Sequence, residues 1–249
     1  MIEIHHKHIR SHTDEIEAYD HLYNTVGIRQ RDSLYLWILS LLDARPGQTL
    51  LDVSSGEGTL VRFAQQQGLH AHGIDISAAA LHKSMHEYGL DTLCVSNAEH
   101  LPFASGCFDY ITNVGSIEHY FDPAAAIREM SRALKMDGLA CVLLPNTFSL
   151  FGNIRYVWQT GDVFDDGQPL QRYSTRLGWQ TLLEENGLTP FRTLRYELEW
   201  PRTVRDTIWY LAHPLKAFRL CISPLIPVNL SNSIVYLCNR SEPRTAVQR

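Results

Sequence analysis

The sequence lacks long apolar runs and paired-cysteine motifs. No apolar stretch approaches the roughly 18–20 residues that a membrane-spanning helix needs, and the opening "MIEIHHKHIRSH" has no apolar centre typical of a signal peptide. The five cysteines form neither a C-x-x-C pair nor a metal-ligand spacing. These absences predict a cytoplasmic protein with reduced cysteines and no stable membrane insertion.

An excess of charge of one sign is also missing. The chain has 22 Lys and Arg residues against 27 Asp and Glu residues, a formal net charge of −5. This balance gives no basic footprint for nucleic acid, and we find no internal repeat. We therefore expect a small-molecule partner and no nucleic acid, and we leave a homodimer open.

Short apolar runs alternate with helix-like segments through the middle of the chain. Three helices are predicted, at Gly58–Gln67, "AAALHKSMHEY" and "AAAIREMSRALK". Each is followed by a glycine, which for the third is Gly138, and the third begins after an Asp-Pro pair. Strands are predicted at "TLLDVS", "HAHGIDI", "DTLCVS", "FDYITNV", "LACVLLPN", "PFRTLRYELEW" and "SNSIVYLCN". This alternation predicts an α/β fold with a seven-stranded, mostly parallel sheet and helices on both faces.

The stretch "LLDVSSGEGTLVRF" (Leu50–Phe63) places a Gly-x-Gly loop between the first core strand and a helix. Small residues there let backbone approach a ligand closely. Asp75 ends the next strand 19 positions after Gly56, close to the roughly 20-residue interval at which an acid meets ribose hydroxyls. The loop therefore predicts a nucleoside site, with an ordinary tight turn as the alternative. Val61 replaces the third glycine of a dinucleotide fingerprint and disfavours a nicotinamide cofactor.

Five motifs in order resemble the class I S-adenosylmethionine-dependent methyltransferases: "LDVSSGEGTL", "GIDIS", "VSNAEHLPFASGCFDYI", "GSIEHYFDP" and "ALKMDG". The resemblance covers about residues 48–146 and extends loosely through "QRYSTRLGWQTLLEENGL". It implies a Rossmann-like fold and S-adenosyl-L-methionine as cofactor. Ser54 stands where the family usually has its first glycine, and "LKMDG" replaces the commoner L-K-P-G-G.

The resemblance also implies a division of the chain and a set of cofactor residues. We expect an N-terminal helical lid (1–45), a cofactor-binding core (46–146), acceptor-side insertions with closing strands (147–240) and a flexible tail (241–249). The residues expected at the cofactor are Asp52, Ser54, Ser55, Gly56, Gly58, Asp75, Ile76, Asn97, Ala98, Asn113, Val114 and Gly115.

His119 is the predicted catalytic base, because an imidazole suits proton removal near neutral pH; simple packing is the alternative. Two aromatic-rich stretches, Phe148–Tyr173 and Trp200–Leu230, are expected to form the acceptor pocket, unless they only pack the lid or a dimer interface. The substrate candidates are Tyr23, Tyr156, Arg172, Tyr173 and His213, with Arg155 a further polar group in these stretches.

No metal is predicted. Some quinone-precursor O-methyltransferases of this class carry E-x-x-E-H at this point, but Gly115 replaces the first glutamate and leaves only Glu118 and His119. The histidine-rich stretch His5–His12 is expected to stay solvated.

The resulting hypothesis is a methyltransferase for small-molecule biosynthesis, which moves a methyl group to an O or N atom of a small molecule. The alternatives are an S-adenosylmethionine-binding cyclase or decarboxylase, and a non-catalytic binding protein on the same fold. Whether residues 200–230 touch a membrane or a lipid-linked acceptor stays open, because Pro214, Pro224 and Pro227 interrupt the apolar part of that segment.

Overall fold

A seven-stranded sheet forms the centre of the computed structural model, which describes residues 1–5, 11–25 and 27–242. Its strand order is β4-β3-β2-β5-β6-β9-β8. The strands are β2 (Thr49–Val53), β3 (His70–Asp75), β4 (Leu93–Val95), β5 (Phe108–Val114), β6 (Leu134–Pro145), β8 (Leu188–Tyr196) and β9 (Ser233–Arg240). Strands β2 to β6 run parallel, while β9 lies antiparallel between β6 and β8. The predicted fold class is confirmed.

Nine α-helices surround the sheets in the described part of the chain. They are α1 (His12–Thr25), α2 (Asp32–Leu42), α3 (Thr59–Gln66), α4 (Ala78–Tyr88), α5 (Pro123–Ala133), α6 (Arg155–Thr160), α7 (Arg176–Glu185), α8 (Val204–Ala212) and α9 (Pro214–Ile222). Short helical turns occupy Ile117–His119, Leu150–Ile154, Ser223–Leu225 and Val228–Leu230. Two apolar clusters hold the layers together: one contains α5 and α7, the other α2 and α3. Helices therefore cover both faces of the sheet, as predicted.

A second, two-stranded sheet joins distant parts of the chain. Strand β1 (Ile2–His5) pairs antiparallel with β7 (Leu170–Tyr173). The Arg172 guanidinium lies 2.7 Å from the Glu3 carboxylate across this pair. Neither strand was predicted from the sequence, because a four-residue strand carries too little periodicity to be recognised.

The N-terminal helices differ from the single helical lid that the sequence predicted. Helix α2 is part of the core, since Leu34, Ile38 and Leu39 are at most 1% exposed against the sheet. Helix α1 lies beside the cofactor loops, and α2 reaches the same cavity only through its first turn, at Leu34 and Tyr35. The long apolar stretch in α2 therefore marks a core helix.

Helix α5 ends at Ala133, five residues before the predicted stop at Gly138. Leu134 already has extended backbone and is fully buried as the first residue of β6. A Cβ at Gly138 would lie 2.7 Å from the Leu134 side chain and 2.9 Å from the Asp109 carbonyl oxygen. Gly138 thus permits close strand packing and does not terminate the helix.

None of the helices in the described residues is long and apolar enough to cross a membrane.

Candidate active site

A cavity of about 650 Å³ opens at the carboxyl ends of β2, β3, β4 and β5. This is where an open parallel sheet binds ligands, because the loops after neighbouring strands converge there. Part of its lining comes from four strand-end loops, at residues 54–56, 75–76, 96–98, and 114–116 with 118–120. Most of the predicted cofactor residues are in these loops, and so the fold brings them together.

The loop after β2 is shaped by backbone that glycine adopts easily. Gly56 has φ +53°, and a Cβ there would lie 2.7 Å from the Tyr23 hydroxyl oxygen of α1. Ser55, next to it, has a buried side-chain oxygen without a hydrogen-bond partner among the described residues. This hydroxyl packs against Gly73 of β3, where a Cβ would lie 2.6 Å from it. The loop therefore offers a close backbone surface to a ligand.

Asp75 lies at the end of β3 and faces this loop. Its carboxylate accepts hydrogen bonds from the main-chain N–H groups of Gly56, at 2.8 Å, and Ser77, at 2.9 Å. Burial raises the pKa of Asp75 to about 6, although these N–H donors favour the charged form. A carboxylate has about four lone-pair sites, so Asp75 keeps acceptor capacity for ligand hydroxyls.

Asp52, the acid at the end of β2, also lines the cavity. The Thr112 hydroxyl donates to its carboxylate at 2.6 Å. Burial nevertheless raises the pKa of Asp52 to about 7. A cationic ligand beside Asp52 would favour its ionised form.

The loop after β4 forms the side of the cavity where we expect the heteroaromatic base of a nucleoside to bind. Asn97 and Ala98 line it together with Ile76 from the loop after β3. The Asn97 side-chain oxygen accepts from the Glu99 N–H at 2.8 Å, which fixes the amide orientation. An amide next to an apolar wall suits a heteroaromatic ring edge.

Ser54, Tyr120 and Asn113 form a chain of hydrogen bonds beneath the cavity. The Ser54 and Tyr120 hydroxyl oxygens lie 2.7 Å apart, and the Asn113 amide donates to Tyr120 at 2.7 Å. Asn113 also donates to the Val53 carbonyl and is fully buried. It does not line the cavity and holds the strand ends together. Val114 and Gly115 do line the cavity.

His119 is buried at the cavity wall in the turn Ile117–His119. Its Nδ1 atom lies 2.6 Å from the Leu170 carbonyl oxygen, which can only accept a hydrogen bond. Nδ1 therefore carries the proton, and Nε2 keeps a lone pair. Burial lowers the pKa of His119, so the ring is neutral at pH 7.

Glu118 lies beside this imidazole, with one carboxyl oxygen 3.8 Å from His119 Nε2. Burial raises the pKa of Glu118 to about 8. Its other carboxyl oxygen is buried without a hydrogen-bond partner in the described structure. At neutral pH the pair is a neutral acid next to a neutral base.

Aromatic residues from the segment between β6 and β7, and from β7 and β8, wall the outer part of the cavity: Phe151, Tyr156 of α6, Phe164, Tyr173 and Tyr196. Arg155 adds a cation there. The Tyr19 hydroxyl of α1 donates to the Gln168 side chain at 3.2 Å, across the cavity mouth. Among the substrate candidates, Tyr23, Tyr156 and Tyr173 line the cavity.

Three further predicted site residues, besides Asn113, do not line the cavity. Arg172 donates to the Tyr120 carbonyl and pairs with Glu3, which makes it a structural link. His213 is exposed and stacks on Trp209. Gly58 faces α4, where a Cβ would lie 2.7 Å from the Ser84 hydroxyl.

The stretch Trp200–Leu230 does not line the cavity, contrary to expectation. It packs on α2, where Asp206 accepts from the Ser33 N–H at 2.8 Å. In the stretch Phe148–Tyr173, Phe148 and Trp158 point to solvent. Aromatic content alone did not distinguish cavity walls from outer surfaces.

The sequence analysis missed Glu15, Tyr35 and Tyr196 at the cavity. Glu15 lies on α1 four residues before Tyr19 and eight before Tyr23, a spacing that puts all three on one helix face. That spacing could have identified Glu15, whereas Tyr196 reaches the site only through the fold of β8.

Residues 6–10 of the histidine-rich stretch lie outside the described residues. In the part that the structure describes, no group of three or more His, Cys, Asp or Glu residues could hold a metal ion. The expectation that no metal binds stays a prediction.

The fold and the cavity define an α/β nucleoside-binding domain with its site at the strand ends. Residues 51–142 match the family model described as a methyltransferase domain. This match agrees with the resemblance of residues 48–146 to the class I methyltransferases, and with S-adenosyl-L-methionine as the cofactor of that class.

Comparisons with individual proteins agree with this class. The ubiquinone/menaquinone biosynthesis C-methyltransferase UbiE of Vibrio cholerae is 36% identical over 123 residues, which cover 43% of this chain and 46% of the relative. The chain spans less than half the length of the curated relatives it matches.

Two solved structures share the fold at low sequence identity. The [4+2]-cyclase SpnF has a TM-score of 0.67 at 16% identity, covering 93% of this chain and 97% of its own. Geranyl diphosphate C-methyltransferase from Streptomyces coelicolor, solved with S-adenosyl-L-homocysteine, has a TM-score of 0.59 at 20% identity, covering 91% of this chain and 84% of its own.

Proposed function

We propose that this protein is an S-adenosylmethionine-dependent methyltransferase that methylates an O or N atom of a small-molecule acceptor. The observation that carries the proposal is the orientation of His119, whose Nδ1 is held by Leu170 while Nε2 lies at the wall of the cavity. A neutral imidazole in this tautomer is a general base.

The cofactor would lie along the loops after β2, β3 and β4. Bound S-adenosylmethionine supplies an electrophilic methyl group on a sulfonium centre. Asp75 would accept from the ribose hydroxyls, and Asn97 with Ile76 would hold the base. Ser55 and the Gly56 backbone would contact the methionine part. The positive φ of Gly56 and the absence of a Cβ there leave room for a ligand close to this backbone.

The acceptor would occupy the outer part of the cavity, among Phe151, Tyr156, Phe164 and Tyr173. Aromatic walls with few polar groups suit a flat or apolar acceptor. His119 would take the proton from the acceptor hydroxyl or ammonium, so that a lone pair is available for in-line attack. Glu118, protonated at neutral pH, would donate a hydrogen bond to an acceptor oxygen.

Methyl transfer to carbon is a second candidate, favoured by the similarity to a quinone-biosynthesis C-methyltransferase. The same base would serve that chemistry, because removing a phenolic proton increases electron density on the adjacent ring carbons. The similarity in fold to a cyclase keeps a reaction without methyl release as a further alternative.

Methyl-labelled S-adenosylmethionine tests these candidates directly. The protein is incubated with hydroquinones, phenols and amines, and the products are separated and analysed by NMR. Label on oxygen or nitrogen supports the proposal, and label on a ring carbon supports the second candidate. A converted acceptor with no label would point to the cyclase alternative.

Cofactor binding is tested separately by isothermal titration with S-adenosylmethionine and its demethylated product. Asp75→Asn should weaken both by about tenfold or more, since a carboxylate hydrogen bond contributes roughly 1.5–3 kcal/mol. Asp91→Asn, on the same domain but outside the cavity, is the matched control. No binding by folded wild-type protein would overturn the proposal.

A further inference from the structure

Helices α8 and α9 present apolar side chains to solvent. Val204, Ile208, Leu211, Leu215 and Phe218 are 77%, 61%, 78%, 84% and 64% exposed. Val204, Ile208 and Leu211 are 4 and 3 residues apart on α8, and Leu215 and Phe218 are 3 apart on α9, so each helix exposes one apolar face. His213, between the two helices, has non-helical backbone. We call these five residues the apolar stripe; Leu225, in the turn after α9, is 82% exposed as well.

The opposite faces of these two helices already have partners. Asp206 and Tyr210 of α8 are buried, and Tyr210 donates to the Glu199 carbonyl at 2.9 Å. Leu220 is the buried residue of α9. Helices α8 and α9 are therefore anchored through one side, and the apolar stripe is a second surface that the fold does not cover. Contiguous exposed apolar surface of this kind marks a binding site.

The unpaired exposed charges beside the apolar stripe are positive. Segment 200–230 carries four cations, in a chain of formal net charge −5. Two of them are paired, Arg202 with Glu199 and Arg219 with Glu197, which leaves Arg205 and Lys216. Asp206 is buried on the Ser33 side, while Arg205 and Lys216 are exposed beside the stripe. The exposed charge of this surface is therefore opposite in sign to that of the whole chain.

We infer that the apolar stripe binds the surface of an anionic lipid bilayer, with α8 and α9 lying in the interfacial plane. Apolar side chains would enter the headgroup and acyl boundary, and Arg205 with Lys216 would approach lipid phosphates. A second copy of the chain is a poorer occupant, because a two-fold contact would place these cations opposite each other.

The apolar stripe is connected to the cavity. The Arg219 guanidinium of α9 lies 4.9 Å from the centre of the Phe151 ring, and Phe151 lines the cavity. Arg219 also pairs with the Glu197 carboxylate at 2.7 Å, and Glu197 accepts from the N–H of the cavity residue Asn232. Docking would thus hold the outer cavity wall close to the lipid surface. This inference does not depend on which acceptor is methylated.

Vesicle co-sedimentation tests the inference. Wild-type protein is mixed with phosphatidylcholine vesicles containing one-quarter phosphatidylglycerol, and with pure phosphatidylcholine vesicles. We expect a bound fraction at least fivefold higher on the anionic vesicles, falling as salt is raised. An equal absence of binding on both would overturn the inference.

The double variant Leu211→Glu/Leu215→Glu removes the apolar stripe without touching the buried faces. Its bound fraction should fall at least fivefold. The control, Leu177→Glu/Phe191→Glu, makes the same change at residues that are 59% and 56% exposed on α7 and β8. Retained binding by the first variant, or equal loss by both, contradicts the inference.

Sedimentation velocity without lipid distinguishes the lipid surface from a second copy. The wild type and the stripe variant should have the same mass. If the variant alone became a monomer, the stripe would be a self-association surface and the inference would be wrong. Titration of each variant with S-adenosylmethionine checks the fold and keeps a failure here separate from a failure of the proposed function.

Discussion

The Nδ1 atom of His119 and the carbonyl oxygen of Leu170 lie 2.6 Å apart, although 51 residues separate them in sequence. This contact fixes the tautomer that a base needs. His119→Asn keeps a donor near Leu170 but has no basic nitrogen. We expect kcat to fall by about 10²–10⁴-fold, the usual contribution of a general base, with cofactor affinity unchanged.

His213→Asn is the matched control for this variant. His213 also places Nδ1 against a backbone carbonyl, that of Trp209 at 2.8 Å, but is exposed and away from the cavity. Its kcat should equal that of the wild type. Unchanged methyl transfer by His119→Asn would contradict the assignment of the base. Because burial lowers the pKa of His119 below 6.5, the acid limb of kcat/KM should lie below that pH.

Glu118 is expected to make stability fall as the pH rises. Burial raises its pKa to about 8 from 4.5, so between those values the folded state holds a proton that the unfolded state has lost. Stability therefore decreases from about pH 4.5 to about pH 8. Glu118→Gln removes this dependence and should raise Tm at pH 8, by about 2–4 °C for each 1 kcal/mol.

At pH 5 the same variant should unfold near the wild-type temperature, because Glu118 is then protonated in the folded protein. Glu185→Gln, on the exposed end of α7, serves as the control. A Glu118→Gln protein with the same Tm difference from wild type at both pH values would contradict the raised pKa.

Substitution of Gly56 is expected to have two effects, backbone strain and a steric contact with Tyr23. Gly47 allows the two effects to be measured separately. Both Gly56 and Gly47 have positive φ, but a Cβ at Gly56 meets Tyr23 whereas one at Gly47 has nothing within 4 Å. Gly47→Ala should cost only the left-handed backbone penalty of about 1–2 kcal/mol. Gly56→Ala should cost a similar amount and also weaken S-adenosylmethionine binding, measured by titration.

Tyr23→Phe in the Gly56→Ala background removes the hydroxyl that the new methyl group meets. Part of the binding should then return. If Gly47→Ala weakened cofactor binding as strongly as Gly56→Ala, the close approach at Gly56 would not be the cause.

Ser54 is a serine with φ +60°, where the resembling family usually has glycine. Its hydroxyl offsets the strain through Tyr120. Ser54→Gly and Ser54→Ala both lose this hydrogen bond, but only alanine keeps the strained backbone. Chemical denaturation should show Ser54→Gly to be more stable than Ser54→Ala by about 1–2 kcal/mol. Equal stabilities would show that the left-handed backbone costs nothing here.

The central sheet could be predicted from the sequence because each buried strand is a short apolar run between helix-boundary residues. The end of α5 could not, since nothing local shows that Leu134 would begin a strand four residues before Gly138. The close packing of Gly138 against Leu134 and Asp109 appears only in three dimensions.

The cofactor loops were predicted better than the acceptor side. Loop residues such as Gly56 and Asp75 are placed by the strands they terminate, so strand prediction positions them directly. Tyr196 and His213 are both in late, aromatic-rich segments, yet one lines the cavity and the other is exposed. That difference depends on how β8 and α8 pack, and single-sequence periodicity does not contain this information.

The pairing of β1 with β7 has a consequence for the order of folding. Leu170 reaches His119 from a strand whose partner residues, Ile2–His5, are more than 160 positions away in the chain. Contacts between segments so far apart in the chain form late in folding. Closing the long loop between them costs conformational entropy before the contact stabilises the chain. A refolding chain should regain its nucleoside pocket first and its proton-accepting imidazole afterwards, so that ligand capture precedes turnover.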